Sequence, residues 1–282
     1  MLTIGLIILE DDIRVDQSTI ANGWKAIELP SPARGLSQLK ARLKKTEAVA
    51  IVGADARKTR YARKALALGK HVLIDFPAGR TWNEVAHLKE LSANNGLCFC
   101  SPNLLTLETG MSELRQMAGD GSSKLLSLTV SYGIGGRPNQ TQYSMKLAQL
   151  LDLTEWVVGS KHVNARQERS GTASSVNARV VLLSHENGVK TMLNIHYAPS
   201  RNPSLWIDGV FENSMVYLNP WAQTIKLQFL SDHSQKEISW AVSSLRRAIE
   251  DFEMAIDKRS EPSDFDDQSR VIELTRKLTQ VG

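Results

Sequence analysis

The sequence predicts an α/β half built on a parallel sheet, followed by an α+β half built on an open antiparallel sheet with helices on one face. Two patterns carry this. Strands and helices alternate through the first hundred residues, which implies strand–helix–strand units joined by right-handed crossovers. After residue 120, short strands follow one another with turn signals such as Glu186-Asn187-Gly188, the mark of antiparallel pairing. Composition bounds the answer: 282 residues, 42% hydrophobic and 23% charged, suffice for one large domain or two ordinary ones with cores of their own. A disordered chain and a disulfide-stapled miniprotein are excluded. The expected division is 1–118 and 119–282, with the last helices as candidates to pack back on the first domain.

In order, Thr3–Leu9 reads as a first core strand. Leu36, Leu39 and Leu43 give Leu36–Lys45 a helical spacing, and Ala48–Val52, ended by Gly53, reads as a buried parallel strand. Arg57–Leu68 is a helix stopped by Gly69, and His71–Asp75 is a strand closed by Pro77. Thr81 caps a helix through Asn94, with Glu84 completing a capping box, and Asn95-Gly96 turns into the strand Leu97–Cys100. In the second half Leu125–Tyr132, Asn177–Ser184, Lys190–His196, Leu205–Val210, Ser214–Leu218 and Thr224–Leu230 alternate as strands. Helices are expected over Tyr143–Val158, ended by Gly159, over Leu245–Asp257 and over Asp264–Leu278.

Several function classes fall away. No apolar run approaches the roughly 18–20 residues that cross a bilayer. Leu2–Leu9 lacks the basic flank of a signal peptide and runs into Glu10-Asp11-Asp12. Cys98 and Cys100 share one face of a strand at a spacing unfavourable for a disulfide, which fits a reducing cytoplasm, the expected location. Without nearby histidines they make no zinc site, and no metal is expected. The net charge of +4 is unevenly placed, with twelve Lys/Arg against Glu47, Asp55 and Asp75 between Arg34 and Arg80. The dense stretch Arg57–Lys64 reads either as a phosphate or nucleic-acid surface or as the solvated face of a helix with Tyr61, Ala62, Ala65 and Leu66 inward. No recognition motif accompanies the charge, so the second reading is preferred and nucleic acid is not an expected partner. There is no Gly-x-Ser-x-Gly elbow, Walker-type loop or His-x-x-x-His pair, and Asp264, Asp266 and Asp267 read as an acidic helix start.

Four segments in one order resemble the Gfo/Idh/MocA-like oxidoreductases. Ala65–Ile74 is similar to that family's helix-to-strand passage, and Asp75-Phe76-Pro77 stands in the place of its Glu-Lys-Pro signature. Leu147–Gly159, with Asp152 and Trp156, resembles the helix that bears a His-x-x-Asp pair, and Ile249–Phe252 through Pro262 and Ser269–Glu273 resemble its closing helices. The resemblance spans roughly residues 48–280. It implies a Rossmann-like dinucleotide-binding domain, trimmed here, and an open-sheet domain that packs against a partner subunit. It also implies hydride transfer between a nicotinamide and a sugar or related alcohol, with the signature lysine and helix histidine handling substrate and proton.

The departures from that pattern are informative. No Gly-x-Gly-x-x-Gly follows the first strand; Glu10-Asp11-Asp12 puts carboxylates where the phosphates would sit. Gly119–Gly121 and Gly133–Gly136 read as loops, and the first half is short of about one strand–helix unit. Phe76 replaces the signature lysine, and Gln149, which cannot act as a base near pH 7, replaces the histidine three residues before Asp152. The candidate catalytic residues are therefore Lys146 as replacement acid, Gln149 and Asp152. Gly53, Asp55, Asp75 and Pro77 are the cofactor-side candidates, and Asn103 and His196 the substrate-side ones. Asp75, at the carboxyl end of a parallel strand, is the best single candidate. Surface lysine, structural histidine and turn cap are the competing readings for Lys146, His196 and Asp75. The expectation is a relative with a degenerate dinucleotide site that binds a ligand or partner without redox chemistry. The alternative is an NAD(P)-dependent oxidoreductase acting on a sugar-like or small carbonyl or imine substrate with an atypical acid, so the cofactor is NAD(P) only if redox function is retained. A small-molecule ligand and a homo- or hetero-oligomer formed through the open sheet are the expected partners, with no membrane.

Overall fold

The computed structural model describes residues 3–9, 24–26, 40–41, 43–121, 123–135, 140–172, 175–198, 204–240, 244–258 and 265–280. The chain divides into two compact units, Met1–Leu104 with Gln140–Ala148 and Leu245–Arg276, and Leu105–Asn139 with Gln149–Ser244 and Lys277–Gly282. The first division falls at 104/105, earlier than the 118/119 read from the sequence.

The first unit holds five parallel strands, β1 (Ile4–Ile8), β2 (Trp24–Ala26), β3 (Ala48–Val52), β4 (His71–Ile74) and β5 (Phe99–Cys100), in the order β2-β1-β3-β4-β5. All five residues of β3 are buried, as a strand covered on both faces requires. Between the strands run α1 (Lys58–Ala67) and α2 (Trp82–Asn94). After α1 the chain turns at Gly69, whose φ of +71° favours glycine. Thr81 caps α2 by accepting from Glu84 N at 3.3 Å, but the Glu84 carboxylate accepts from Arg80 N at 2.7 Å, one residue before the reciprocal partner of a capping box. The β2 strand adds a short edge beside β1 in a half that the sequence leaves short of a unit. Glu10–Asp12 lie outside the described residues. So does half of the expected helix Leu36–Lys45, of which 40–41 are helical and Leu43–Lys45 forms a 3-10 turn.

The second unit contains α3 (Thr109–Gly119) and β6 (Leu125–Gly135). Helix α4 (Gln140–Val158) begins in the first unit and continues in the second. Then come β7 (His162–Thr172), β8 (Ser175–His185), β9 (Lys190–Ala198), β10 (Ser204–Phe211), β11 (Ser214–Asn219), β12 (Thr224–Phe229) and β13 (Gln235–Ser239), in the sheet order β13-β12-β11-β10-β6-β9-β8-β7. Two sequence expectations are corrected, and three elements are new. β6 and β9 pair in parallel from Ser127↔Lys190 to Gly135↔Ala198, so the sheet is mixed rather than antiparallel. Gly133 and Gly135 lie inside β6 rather than in a loop. Helix α3 and strands β7 and β13 had no counterpart in the sequence reading. Both missed strands are sheet edges, where charged side chains discourage pairing with other chains and erase the alternation that reveals inner strands.

Register builds the core in rows. Ile225, Leu218, Ile207, Val130, Leu193 and Val181 are successive cross-strand partners, and all are buried. Each is worth about 1.5–3 kcal/mol when fully buried. Helix α3 packs on this face: a Cβ on Gly110 would meet Leu218 Cδ1 and Trp240 Cη2, and one on Gly209 would meet Leu114 Cδ1 at 3.4 Å. The opposite face carries Tyr217, Asp208, Thr129, Met192 and Leu182 in one row with Trp206 beside them, and Trp206 is 51% exposed. The closing helices α5 (Ser244–Lys258) and α6 (Phe265–Gln280) follow. The buried Leu245, Ala248, Ile249, Phe252 and Ala255 of α5 recur at helical spacing.

Two histidine rings meet inside the second unit, tilted by 56° to one another. The rings of His162 and His185 are 4.6 Å apart. His185 Nδ1 donates to Ser160 O at 2.9 Å, so in the neutral ring Nε2 accepts from Thr191 Oγ1, also at 2.9 Å.

Filling the space beside Gly110 forces neighbouring side chains to move. Gly110→Ala is expected to lower stability by about 1–3 kcal/mol in urea unfolding. Gly119→Ala, in open space at the end of the same helix, is expected to be neutral or to gain up to about 1 kcal/mol. Burial holds His185 below its ordinary value, with the His162 ring acting in the same direction and Ser160 O and Glu155 opposing. The unfolded chain therefore binds this proton first as pH falls. Stability is full above about pH 6.5 and declines toward the folded value. The urea midpoint is expected to fall between about pH 7.5 and about pH 5.5, and to fall less in His185→Gln.

Candidate functional site

The carboxyl ends of β3 and β4 bring the site together within the first unit. β4 ends in Ile74, and Asp75 N donates to Ile51 O at 3.1 Å, which keeps the two strands in register one residue further. The Asp75 carboxylate is then enclosed. Lys58, in the first turn of α1, reaches it with Nζ 2.7 Å from Asp75 Oδ1 and 2.8 Å from Asp75 O, and the Lys58 side chain is 0% exposed. Gly53 N donates to Asp75 Oδ2 at 3.2 Å. Gly53 has φ +124°, a conformation that a side chain would strain, and this bend turns its N–H toward the carboxylate.

Burial pushes the Asp75 carboxyl above the usual carboxylate range, while the charges of Lys58 and Lys146 and the hydrogen bonds from Lys58 and Gly53 N pull it back. Next to it Phe76 is fully buried, its N donating to Pro102 O at 2.9 Å, and the Phe76–Pro77 peptide is cis. Asn103, one residue past Pro102, is buried as well.

Asp55 serves a different purpose. It accepts from Arg57 N at 2.7 Å and from Arg57 Nε at 2.9 Å, closing the turn between β3 and α1. Burial pushes its carboxyl up, but the Arg57 hydrogen bonds and charge outweigh this and hold it below its ordinary value.

Of the residues singled out in the sequence, Gly53, Asp75, Pro77 and Asn103 gather around these strand ends, and Lys146 lies close enough for its charge to act on Asp75. Gln149 and Asp152 lie further along α4 in the second unit, Gln149 buried and Asp152 half-buried. His196 is also in the second unit, on β9. It points the same way as the exposed Met192, on the side of the sheet opposite α3. The residue missed in the sequence is Lys58. Read as part of a solvated basic stretch, it falls at i, i+3, i+4, i+7 and i+8 spacing with Tyr61, Ala62, Ala65 and Leu66, and all five are buried. That period was the available signal.

No protein-family model matches the sequence, and no curated protein matches it. Solved structures do. The UDP-N-acetylglucosamine 3-dehydrogenase GnnA from Acidithiobacillus ferrooxidans superposes with TM-score 0.75 at 17% identity, over 99% of this chain and 97% of that one. The aldose-aldose oxidoreductase from Caulobacter crescentus gives 0.76 at 12% identity over 99% and 97%, and the dehydrogenase MviM from Clostridium difficile 0.70 at 10% over 99% and 97%. At these identities the likeness establishes the fold: a Rossmann-like parallel sheet and a mixed eight-stranded sheet with helices.

Removing one partner of a buried ion pair leaves the other charge uncompensated. Lys58→Met is expected to cost about 3–5 kcal/mol in urea unfolding. Lys58→Met with Asp75→Asn, which removes both charges and keeps an acceptor for Gly53 N, is expected to recover most of that loss.

Proposed function

We propose that this chain, which has the two-domain fold of the Gfo/Idh/MocA-type oxidoreductases, binds a small ligand or a partner at its strand-end site without hydride transfer. The enclosed Lys58–Asp75 pair beside a buried Phe76 carries this reading. A proton relay needs a group that can reach the substrate and change its protonation state. Here the amine nearest the strand end is fully covered and bonded to two Asp75 oxygens, and the neighbouring side chain is a phenyl ring with no proton to give. These residues do not fit a nicotinamide-linked acid or base. The same pair rigidifies the strand ends, which suits a preorganised binding site.

A second reading has support of its own. Lys146 is only half-buried and its charge reaches Asp75, and the full-length likeness is to dehydrogenases. An NAD(P)-dependent oxidoreductase acting on a sugar-like, carbonyl or imine substrate, with Lys146 as its acid, is that alternative. In either case the open sheet face bearing Trp206, Met192 and Leu182 favours an oligomer, and two reduced thiols in contact, Cys98 and Cys100, favour a reducing compartment.

Calorimetric titration with NADH and with NADPH separates the two. The proposed reading expects no saturable binding of either up to about 1 mM, a free energy weaker than about −4 kcal/mol. Micromolar binding of either cofactor, with turnover lost in Lys146→Met, overturns it in favour of the alternative.

A further inference from the structure

The outer side of α1 and the start of α2 form a cleft separate in chemistry from the enclosed strand-end pair. Its volume is about 340 Å³, and its lining includes Arg57, Arg60, Arg63, Arg80, His87 and a single carboxylate, Glu84. That volume falls within the range of small-molecule sites. Two of the arginines are already engaged: Arg57 pairs with Asp55, and Arg80 Nη2 lies 3.8 Å from Glu84 Oε1. Arg60 and Arg63, one turn apart on α1, have no carboxylate partner among the described residues.

Both helices begin at this cleft. α1 has no side-chain cap and no acidic residue in its first turn, and the carboxylate nearest its start, Asp55, is taken up by Arg57 N and the Arg57 guanidinium. Thr59 does not fill that role, because its hydroxyl donates to Ala78 O at 2.9 Å. Concave shape and four guanidiniums against one lining carboxylate converge on one kind of occupant, a compact polyanion.

We propose that this cleft binds a small molecule with a terminal diphosphate, of the nucleoside diphosphate kind, whose outer phosphate carries a second negative charge that the doubly esterified diphosphate of NADH and NADPH lacks. Arg60 and Arg63 supply the free guanidiniums, one for each phosphate. Arg57 and Arg80, fixed by Asp55 and Glu84, present their remaining N–H groups from either side. Planar guanidiniums suit phosphate because each can donate two parallel hydrogen bonds. A nucleic-acid backbone is a poorer match: it needs a row of contacts along an extended surface, whereas these arginines close around a cleft. The inference does not depend on whether the strand-end site performs redox chemistry.

The test uses the full chain and inorganic pyrophosphate as probe, by isothermal titration at low ionic strength. One site per chain is expected, with affinity falling as salt rises. Arg60→Glu with Arg63→Glu, both on the exposed side of α1, is expected to weaken binding at least tenfold while leaving the urea midpoint unchanged. Arg166→Glu, on the surface of the second unit, is expected to leave binding as it was. No saturation up to about 10 mM pyrophosphate, about −3 kcal/mol, or undiminished binding in the double variant, overturns the proposal. So does duplex DNA that binds through Arg60 and Arg63 and is not displaced by pyrophosphate, which would make the cleft a nucleic-acid surface.

Discussion

The Lys58–Asp75 pair joins three segments of the chain where two strands end: the first turn of α1, the bend at Gly53 and the start of the Asp75-Phe76-Pro77 segment. Taking two ions out of water costs several kcal/mol for each, and the attraction between them offsets this only when the remaining bonding capacity is also met. Here it is met in part by backbone. Asp75 O and Oδ1 accept from the amine, and Gly53 N donates to Oδ2. Ala54, Tyr61 and Phe76 are buried around it, and the low dielectric they provide strengthens every contact that is well made and penalises any that is lost.

Helix α1 shows how one ten-residue segment serves two environments. Its period of 3.6 sends Lys58, Tyr61, Ala62 and Ala65 inward and turns Arg60 and Arg63 outward. Asp55 fixes the turn that launches the helix, and so sets both the depth of the buried amine and the direction of the guanidiniums.

Much of this fold was legible because inner strands and amphipathic helices advertise themselves. Ala48–Val52 is one unbroken apolar run and emerged with the bounds read from the sequence, and Gly69, Thr81 and Gly159 marked helix ends for local reasons of backbone geometry. The edge strands β7 and β13 were not legible, since exposure removes alternation. Nor was the parallel pairing of β6 with β9, which no local pattern encodes. At the site, Asp75 stood out by its position at a strand end. Lys58 did not, because a lysine in a basic stretch is read by its charge, and only its place in the helical period betrays burial. The carboxylates expected to face a phosphate, Glu10–Asp12, lie outside the described residues.

The position of β6 bears on how the second sheet assembles. β7, β8 and β9 form one run of neighbouring antiparallel strands and β10 to β13 another, and within each run every pair joins sequence neighbours. Both runs can zip locally and early. β6 precedes both in the chain, yet lies between β9 and β10, so it can complete the sheet only after long loops close. Until it inserts, β9 and β10 each present an unpaired edge. Closing those loops is the entropically costly part of forming this sheet, and until they close one chain can pair with another along β9 or β10, an exposure that the finished sheet removes.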